Sequence, residues 1–190
     1  YWLVDPHDGT KEFINLNGEF TVNIALVPSH EPILGVVLVP VTGVTNTGQV
    51  GKWASKHDAD GRMEHISVRT PCADPVVVVG SRSHPNPRLL EYLAKLGPYE
   101  LVSMGSSLKF CLVAEGKADF YPRLGPTSEW DTGAAHAVVM AAGGKIVTLE
   151  GKPLRYNTKK SLLNPEFLVI ADDGRDWLEV FESYKFVTNS

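Results

Sequence analysis

The residues best able to do chemistry in this chain are carboxylates in two short segments, each led by a tryptophan. The first reads Trp2-Leu3-Val4-Asp5-Pro6-His7-Asp8-Gly9-Thr10. A strand is expected to end at Asp5, Pro6 to force a turn, and Gly9 to let the backbone turn closely. Two carboxylates this close to a strand end can converge on a hard cation such as Mg²⁺, which takes oxygen ligands. Gly9 and Thr10 then open a short helix over Thr10-Lys11-Glu12-Phe13, whose backbone N–H groups would favour a phosphate. The plainer alternative is an Asx turn with Asp8 or Thr10 as the helix N-cap. The second segment is Trp130-Asp131-Thr132-Gly133-Ala134-Ala135-His136-Ala137, an aspartate at the start of a helix of small residues. Such a helix can approach another backbone closely, and its dipole favours the negative charge of Asp131. Taken alone, Asp131 is simply a good N-cap.

Together the two segments resemble the paired signatures of the inositol monophosphatase superfamily, W-x-x-D-P-x-D-G-T followed by W-D-x-x-A-x-x-A. The matches are Trp2, Asp5, Pro6, Asp8, Gly9 and Thr10, then Trp130, Asp131, Ala134 and Ala137. Other stretches look like the bacterial 3′(2′),5′-bisphosphate nucleotidases within it. These are Thr10-Lys11-Glu12-Phe13, residues 18–26, Ser81-Arg82-Ser83-His84, residues 105–111, and Tyr121-Pro122-Arg123 with Gly125-Pro126-Thr127. Inositol monophosphatases share both metal motifs but generally lack the Thr-Lys-Glu-Phe and Ser-Ser-Leu-Lys combination.

The resemblance implies a phosphatase that hydrolyses the 3′-phosphate of adenosine 3′,5′-bisphosphate to AMP and phosphate, clearing a by-product of sulfate assimilation. Its cofactor would be Mg²⁺, roughly two or three ions. Asp5, Asp8 and Asp131 would be metal ligands, joined by the backbone carbonyl of His7. Asp8 and Thr10 would be catalytic, the Thr10 hydroxyl helping to orient the attacking water. Gly9 and Thr10 would donate to the scissile phosphate, and His84, Ser106, Lys109 and Arg123 would complete the substrate site with His7, Asp8 and Asp131. The chemistry agrees for two of these, because a second phosphate needs cations such as Lys109 and Arg123. Against that stand a solvated helix lysine, a surface arginine, and a turn role for His84 before Pro85. The partner is a small nucleotide bisphosphate, not a nucleic-acid polymer. The resemblance also allows a homodimer and a cytoplasmic protein, free or peripheral at the inner membrane face.

Two departures stand out. Position 7 is usually aliphatic in the family and is His here. Because the family uses this carbonyl, metal binding is expected to survive, and imidazole suits softer metals. The chain also opens without Met in what reads as a strand in progress at Tyr1. The family's opening part, with a metal-binding Glu and an acidic residue that activates water with the threonine, is therefore expected to lie ahead of it. A noncatalytic metal- or nucleotide-binding fragment is the competing reading, beside an inositol or sugar monophosphatase.

These residues need a scaffold. The 190 residues carry 18 Lys+Arg against 22 Asp+Glu, a net charge of −4, and are 43% hydrophobic and 21% charged. That is ordinary globular material, without the basic excess that grips nucleic acid. No apolar run approaches the ~18 residues of a membrane span. Cys72 and Cys111 are too few for a disulfide framework, which favours a reducing compartment. Segments 20–27 and 33–39 read as a hairpin, 42–70 as polar and turn-rich, and 76–79 as a strand buried on both faces. Helices are expected over 89–96, 107–115, 131–142 and 176–184, and strands over 118–121, 146–149 and 167–170. The expected fold is α+β, the layered α/β/α/β/α sugar-phosphatase arrangement lacking its N-terminal helices. Residues 1–190 would form one N-terminally truncated phosphatase domain. Its N-terminal lobe would run to about residue 75, with an α/β lobe from about 76.

Overall fold

Alternation of buried and open positions along β2 (Thr21–Leu26) and β3 (Leu34–Leu38) builds the expected hairpin. The computed structural model describes residues 1–81 and 87–179. The hairpin belongs to a six-stranded antiparallel meander whose spatial order follows the chain. Its other strands are β1 (Trp2–Asp8), β4 (Thr45–Gln49), β5 (Trp53–His57) and β6 (Met63–His65), with the short α1 (Thr10–Ile14) between β1 and β2.

A second sheet of five strands has the order β10-β11-β9-β7-β8. It comprises β7 (Val76–Ser81), β8 (Tyr99–Met104), β9 (Phe120–Arg123), β10 (Lys145–Thr148) and β11 (Phe167–Ile170). The four valines of β7 are buried, as a strand covered on both faces requires, and β7 runs parallel to β8 and β9. Helix α2 (Pro87–Leu96) covers the outer face, packing Tyr92, Leu93 and Leu96 with Val76, Val78 and Phe120. Helices α3 (Leu108–Ala114) and α4 (Glu129–Ala141) fill the layer between the sheets. There Phe110, Val138 and Val139 join Val77, Tyr121 and Phe167 of the second sheet to Ala25, Val37 and Ala54 of the first. The described residues are thus stacked sheet, helices, sheet, helix.

The small-residue helix does what its composition suggests. Gly35 of β3 pairs with Gly48 of β4, and both lie under α4. A Cβ on Gly35 would stand 2.0 Å from the Ala134 carbonyl oxygen, and one on Gly48 would stand 2.8 Å from the Val138 Cα. The helix backbone therefore rests directly on the sheet backbone.

Two expectations change, one strand is added, and one helix is only partly described. The polar stretch 42–70 contains β4, β5 and β6: Asn46 and Gly48 fill the inward positions of β4 where apolar residues usually betray a strand, and the residues of β6 are all exposed. Strand β8 has no buried stripe, lying at the sheet edge with only intermediate or exposed residues. Strand β1 does not stop at Asp5 but continues through Pro6 to Asp8. The expected helix over 176–184 lies mostly outside the described residues; within them, 171–178 form bends and irregular backbone and Glu179 is helical.

The α4 contact makes a direct prediction. Gly35→Ala forces a carbon into the α4 backbone and should destabilise the protein by about 1–3 kcal/mol, the usual range for overpacking. Gly125→Ala, with open space around the new carbon, should change stability by less than about 0.5 kcal/mol. Urea unfolding midpoints of the two variants check this.

Candidate active site

The site begins with an irregularity in β1. Asp5 pairs with Asn23, but Asp8 pairs with Thr21, so β1 holds one residue more than β2 between these points. Pro6 has no N–H to give to the ladder, which suits it to such a bulge. In a regular strand, Asp5 and Asp8 would face opposite sides of the sheet. The extra residue brings both to the buried face that Thr21 and Asn23 share. The Asp5 carboxylate accepts the His7 N–H at 2.9 Å. The His7 ring turns instead to aromatic neighbours, 4.7 Å from the Phe13 centroid and 5.4 Å from that of Phe20. The His7 side chain is thus engaged with two aromatic rings.

Neither Asp8 nor Thr10 caps α1. That place belongs to Gly9, at φ 92° and ψ 48°, a left-handed conformation that glycine adopts without a steric penalty. The Asp8 carboxylate is used elsewhere. Its Oδ2 accepts the Ser107 N–H at 2.6 Å and lies 3.4 Å from the Thr21 hydroxyl and 3.5 Å from the Asn23 amide. The Ser107 hydroxyl donates to Asn23 Oδ1 at 2.9 Å and lies 2.8 Å from the Thr21 hydroxyl. This buried set joins the first sheet to the start of α3. Glu19 adds to the joint, accepting the Gly105 N–H at 2.7 Å.

Asp131 approaches from α4, and here too the expected cap is corrected. Ser128 is the N-cap, and Asp131 stands at the third helical position, its Oδ2 accepting the Ser128 N–H at 2.8 Å. A carboxylate there reaches back over the helix start, where the dipole favours it. One carboxylate oxygen each from Asp5, Asp8 and Asp131 lie within 4.8 Å of one another.

A cleft of about 330 Å³ opens beside this cluster. Of the residues singled out in the sequence, Asp8, Gly9, Thr10, Ser106, Lys109, Arg123 and Asp131 line it. Asp5 is buried behind it, and His84 lies outside the described residues. Lys109 is buried, not solvated: its ammonium donates to the Ser106 carbonyl at 2.6 Å and sits 5.6 Å from the Tyr121 ring centroid. Arg123 donates to the carbonyls of Gly125, at 3.2 Å, and Pro126, at 2.6 Å, which fixes its guanidinium at the wall. Lys11, Glu12, Tyr121, Thr127 and Thr132 also line the cleft. The sequence reading assigns them no role. For the Asp8 partners one sign exists, since Thr21 and Asn23 are polar at the inward positions of an otherwise apolar strand.

Burial dominates the electrostatics. It raises Asp8 to about 6, with Lys109 opposing the rise and Asp131 and Asp5 adding to it. Asp131 is also raised, first by burial, against the Ser128 N–H and with a contribution from Asp5. Lys109 is pushed down to about 8 by burial, with Asp8 resisting. Three crowded carboxylates of this kind suit a hard divalent cation, and the set contains no sulfur or imidazole to favour a softer one.

The model of the inositol monophosphatase family matches residues 1–175. The chain belongs to the inositol monophosphatase family. Within that family it is 56% identical over 169 residues to the 3′(2′),5′-bisphosphate nucleotidase CysQ of Escherichia coli (strain K12), covering 89% of this chain and 67% of that protein. It is 36% identical over 184 residues to the 3′(2′),5′-bisphosphate nucleotidase CysQ of Haemophilus influenzae, covering 96% and 68%. The crystal structure of CysQ from Bacteroides thetaiotaomicron superposes with a TM-score of 0.80 at 47% identity, over 92% of this chain and 70% of that one. A staphylococcal IMPase-II shares the fold, with a TM-score of 0.79 at 21% identity over 98% and 74% of the two chains. The family is generally metal-dependent, which agrees with the acidic cluster. Among the described residues, no helix is long and apolar enough to cross a membrane.

The raised Asp8 has a consequence for stability. Its folded value lies above the ordinary 3.8, so the protonated form stabilises the metal-free fold. That contribution is complete below the unfolded value and is lost as pH rises through about 6. Asp8→Asn removes the titration and keeps the acceptor for Ser107. Relative to wild type, this variant should gain stability between pH about 4 and about 6, and hold the gain above it. Thermal unfolding of both proteins in chelator across that range measures the difference.

Proposed function

We propose that the chain carries the catalytic site of a Mg²⁺-dependent 3′(2′),5′-bisphosphate nucleotidase, releasing phosphate from the 3′ position of adenosine 3′,5′-bisphosphate and leaving AMP. The reading is carried by the convergence of Asp5, Asp8 and Asp131 within 4.8 Å beside a cleft that also holds Lys109 and Arg123. The 56% identity to a bisphosphate nucleotidase supports the same substrate class.

Asp5, Asp8 and Asp131, with the His7 carbonyl, would hold the metal, roughly two or three ions in the whole site. Bound there, Mg²⁺ supplies polarisation of the phosphate and a lowered pKa for coordinated water. The protein's own groups do the positioning. Thr10 stands at the cleft next to Gly9 and Asp8, and its hydroxyl orients the attacking water. Water adds to phosphorus as the bond from phosphorus to the ribose oxygen breaks, and that oxygen leaves with a proton as the 3′-hydroxyl. Arg123, already fixed through two carbonyls, and Lys109, with Ser106 beside it, hold the phosphate that is not cleaved. This remote grip contributes binding energy that orients the reacting phosphate.

The test is kcat/KM for adenosine 3′,5′-bisphosphate and for inositol 1-phosphate, in wild type and in Lys109→Met and Arg123→Ala. A hydrogen bond to a charged group contributes about 1.5–3 kcal/mol, so each substitution should lower bisphosphate hydrolysis roughly 10- to 100-fold. Inositol 1-phosphate, with no second phosphate, should be a poor substrate for all three. Preference for inositol 1-phosphate, or bisphosphate hydrolysis indifferent to both substitutions, would overturn the substrate and favour an inositol monophosphatase.

A further inference from the structure

Asp131 is aimed by a hydrogen bond from the Ser128 backbone, so the position of that turn decides where the carboxylate points. The turn is held from outside α4. Ser128 forms an antiparallel bridge with Leu163, Glu129 N–H donates to the Leu162 carbonyl at 2.8 Å, and Asn164 N–H donates to the Thr127 carbonyl at 2.8 Å. The Asn164 side chain closes the arrangement. Its Nδ2 lies 2.9 Å from the Ser128 carbonyl, 3.2 Å from Thr127 Oγ1 and 3.0 Å from Thr132 Oγ1. A carbonyl can only accept, so the contact with Ser128 fixes which end of the amide faces the turn. The Thr132 hydroxyl gives its own proton to the Glu129 carbonyl at 3.2 Å and accepts from Tyr156 at 3.1 Å, so it is free to accept from Asn164 as well.

We propose that Asn164 is a positioning residue of the site, its side-chain amide tying the Thr127–Ser128 turn to Thr132 and so holding Asp131 at the carboxylate cluster. Thr127, Thr132 and Asp131 line the cleft, and Asn164 does not. It acts on the ligand only through them. This rests on the reading of Asp131 as a metal ligand. Groups that orient metal ligands typically govern affinity about 10- to 100-fold, although they never touch the ion. Asn164 should therefore govern divalent-metal affinity more than it governs folding.

The experiment is a titration of the full chain with Mn²⁺, the free ion being counted by electron paramagnetic resonance. It compares wild type, Asp131→Asn, Asn164→Leu, Asn164→Ala and the core variant Val169→Ala, with the unfolding temperature of each in chelator. Asn164→Leu keeps the number and branching of the side-chain heavy atoms and removes the donors. Both Asn164 variants should bind Mn²⁺ roughly 10- to 100-fold more weakly. Val169→Ala, destabilised through a cavity, should bind as wild type does. Thr132→Val removes one of the three acceptors and gives a smaller loss in the same direction, which keeps the test alive if the Asn164 variants do not fold. Wild-type affinity in the folded Asn164 variants, or an equal loss in Val169→Ala, overturns the proposal while Asp131→Asn still loses binding. If Asp131→Asn binds as wild type does, the metal reading itself falls, and this proposal with it.

Discussion

Contact between the α4 backbone and the Gly35–Gly48 pair sets the distance from which Asp131 must reach the first sheet. A carboxylate on a helix has a short arm, and a side chain on either glycine would collide with the helix backbone and push it off the sheet. Small residues on the facing stripe of α4, Ala134, Ala137, Val138 and Ala141, complete the approach. The site is therefore made by elements remote in sequence that meet because nothing stands between them. Packing between the sheets, with Phe110, Val138 and Val139 at its centre, keeps α4 seated.

Gathering three carboxylates at that meeting point is unfavourable by itself. Burial and mutual repulsion act in the same direction on Asp8 and Asp131, and the fold answers with fixed partial charges. The Ser107 N–H, the Ser128 N–H and the His7 N–H each point at one of the three carboxylates. Lys109 opposes the repulsion at Asp8, while burial lowers its own value. These donors order the oxygens but leave the cluster short of positive charge. Three crowded carboxylates left short of positive charge suit a divalent cation.

The acidic cluster was legible through the paired family signatures: spacing alone put Asp5 and Asp8 together at a strand end, whereas Asp131 by itself read as an N-cap, and only the resemblance joined the three. What holds them was less visible. The cap of α4 is Ser128, not Asp131, because the helix begins before the first strongly helical residues. The partners of Asp8 come from Thr21, Asn23 and Ser107, and no local pattern links residues so far apart. Strands β4 and β5 are hidden because Asn46, Gly48 and Ala54 hold the side that meets α4, too small or too polar to mark a core, and β6 is exposed throughout. Strand β8 is hidden by its place at an edge. Hydrophobic periodicity finds elements that pack through large side chains, and this scaffold meets its helix through small ones.

The bulge in β1 has a further consequence, for solubility. Among the described residues β1 is an edge strand, with Trp2 and Val4 exposed. A straight apolar edge of that kind is a template on which another chain can add a strand. Pro6 withholds a donor and the extra residue twists the backbone away, so the edge offers no regular ladder beyond Asp5. The irregularity that assembles the carboxylates thus also blunts the sheet against self-association. A sequence change that straightened β1 would expose the protein to aggregation as well as scatter its acidic residues.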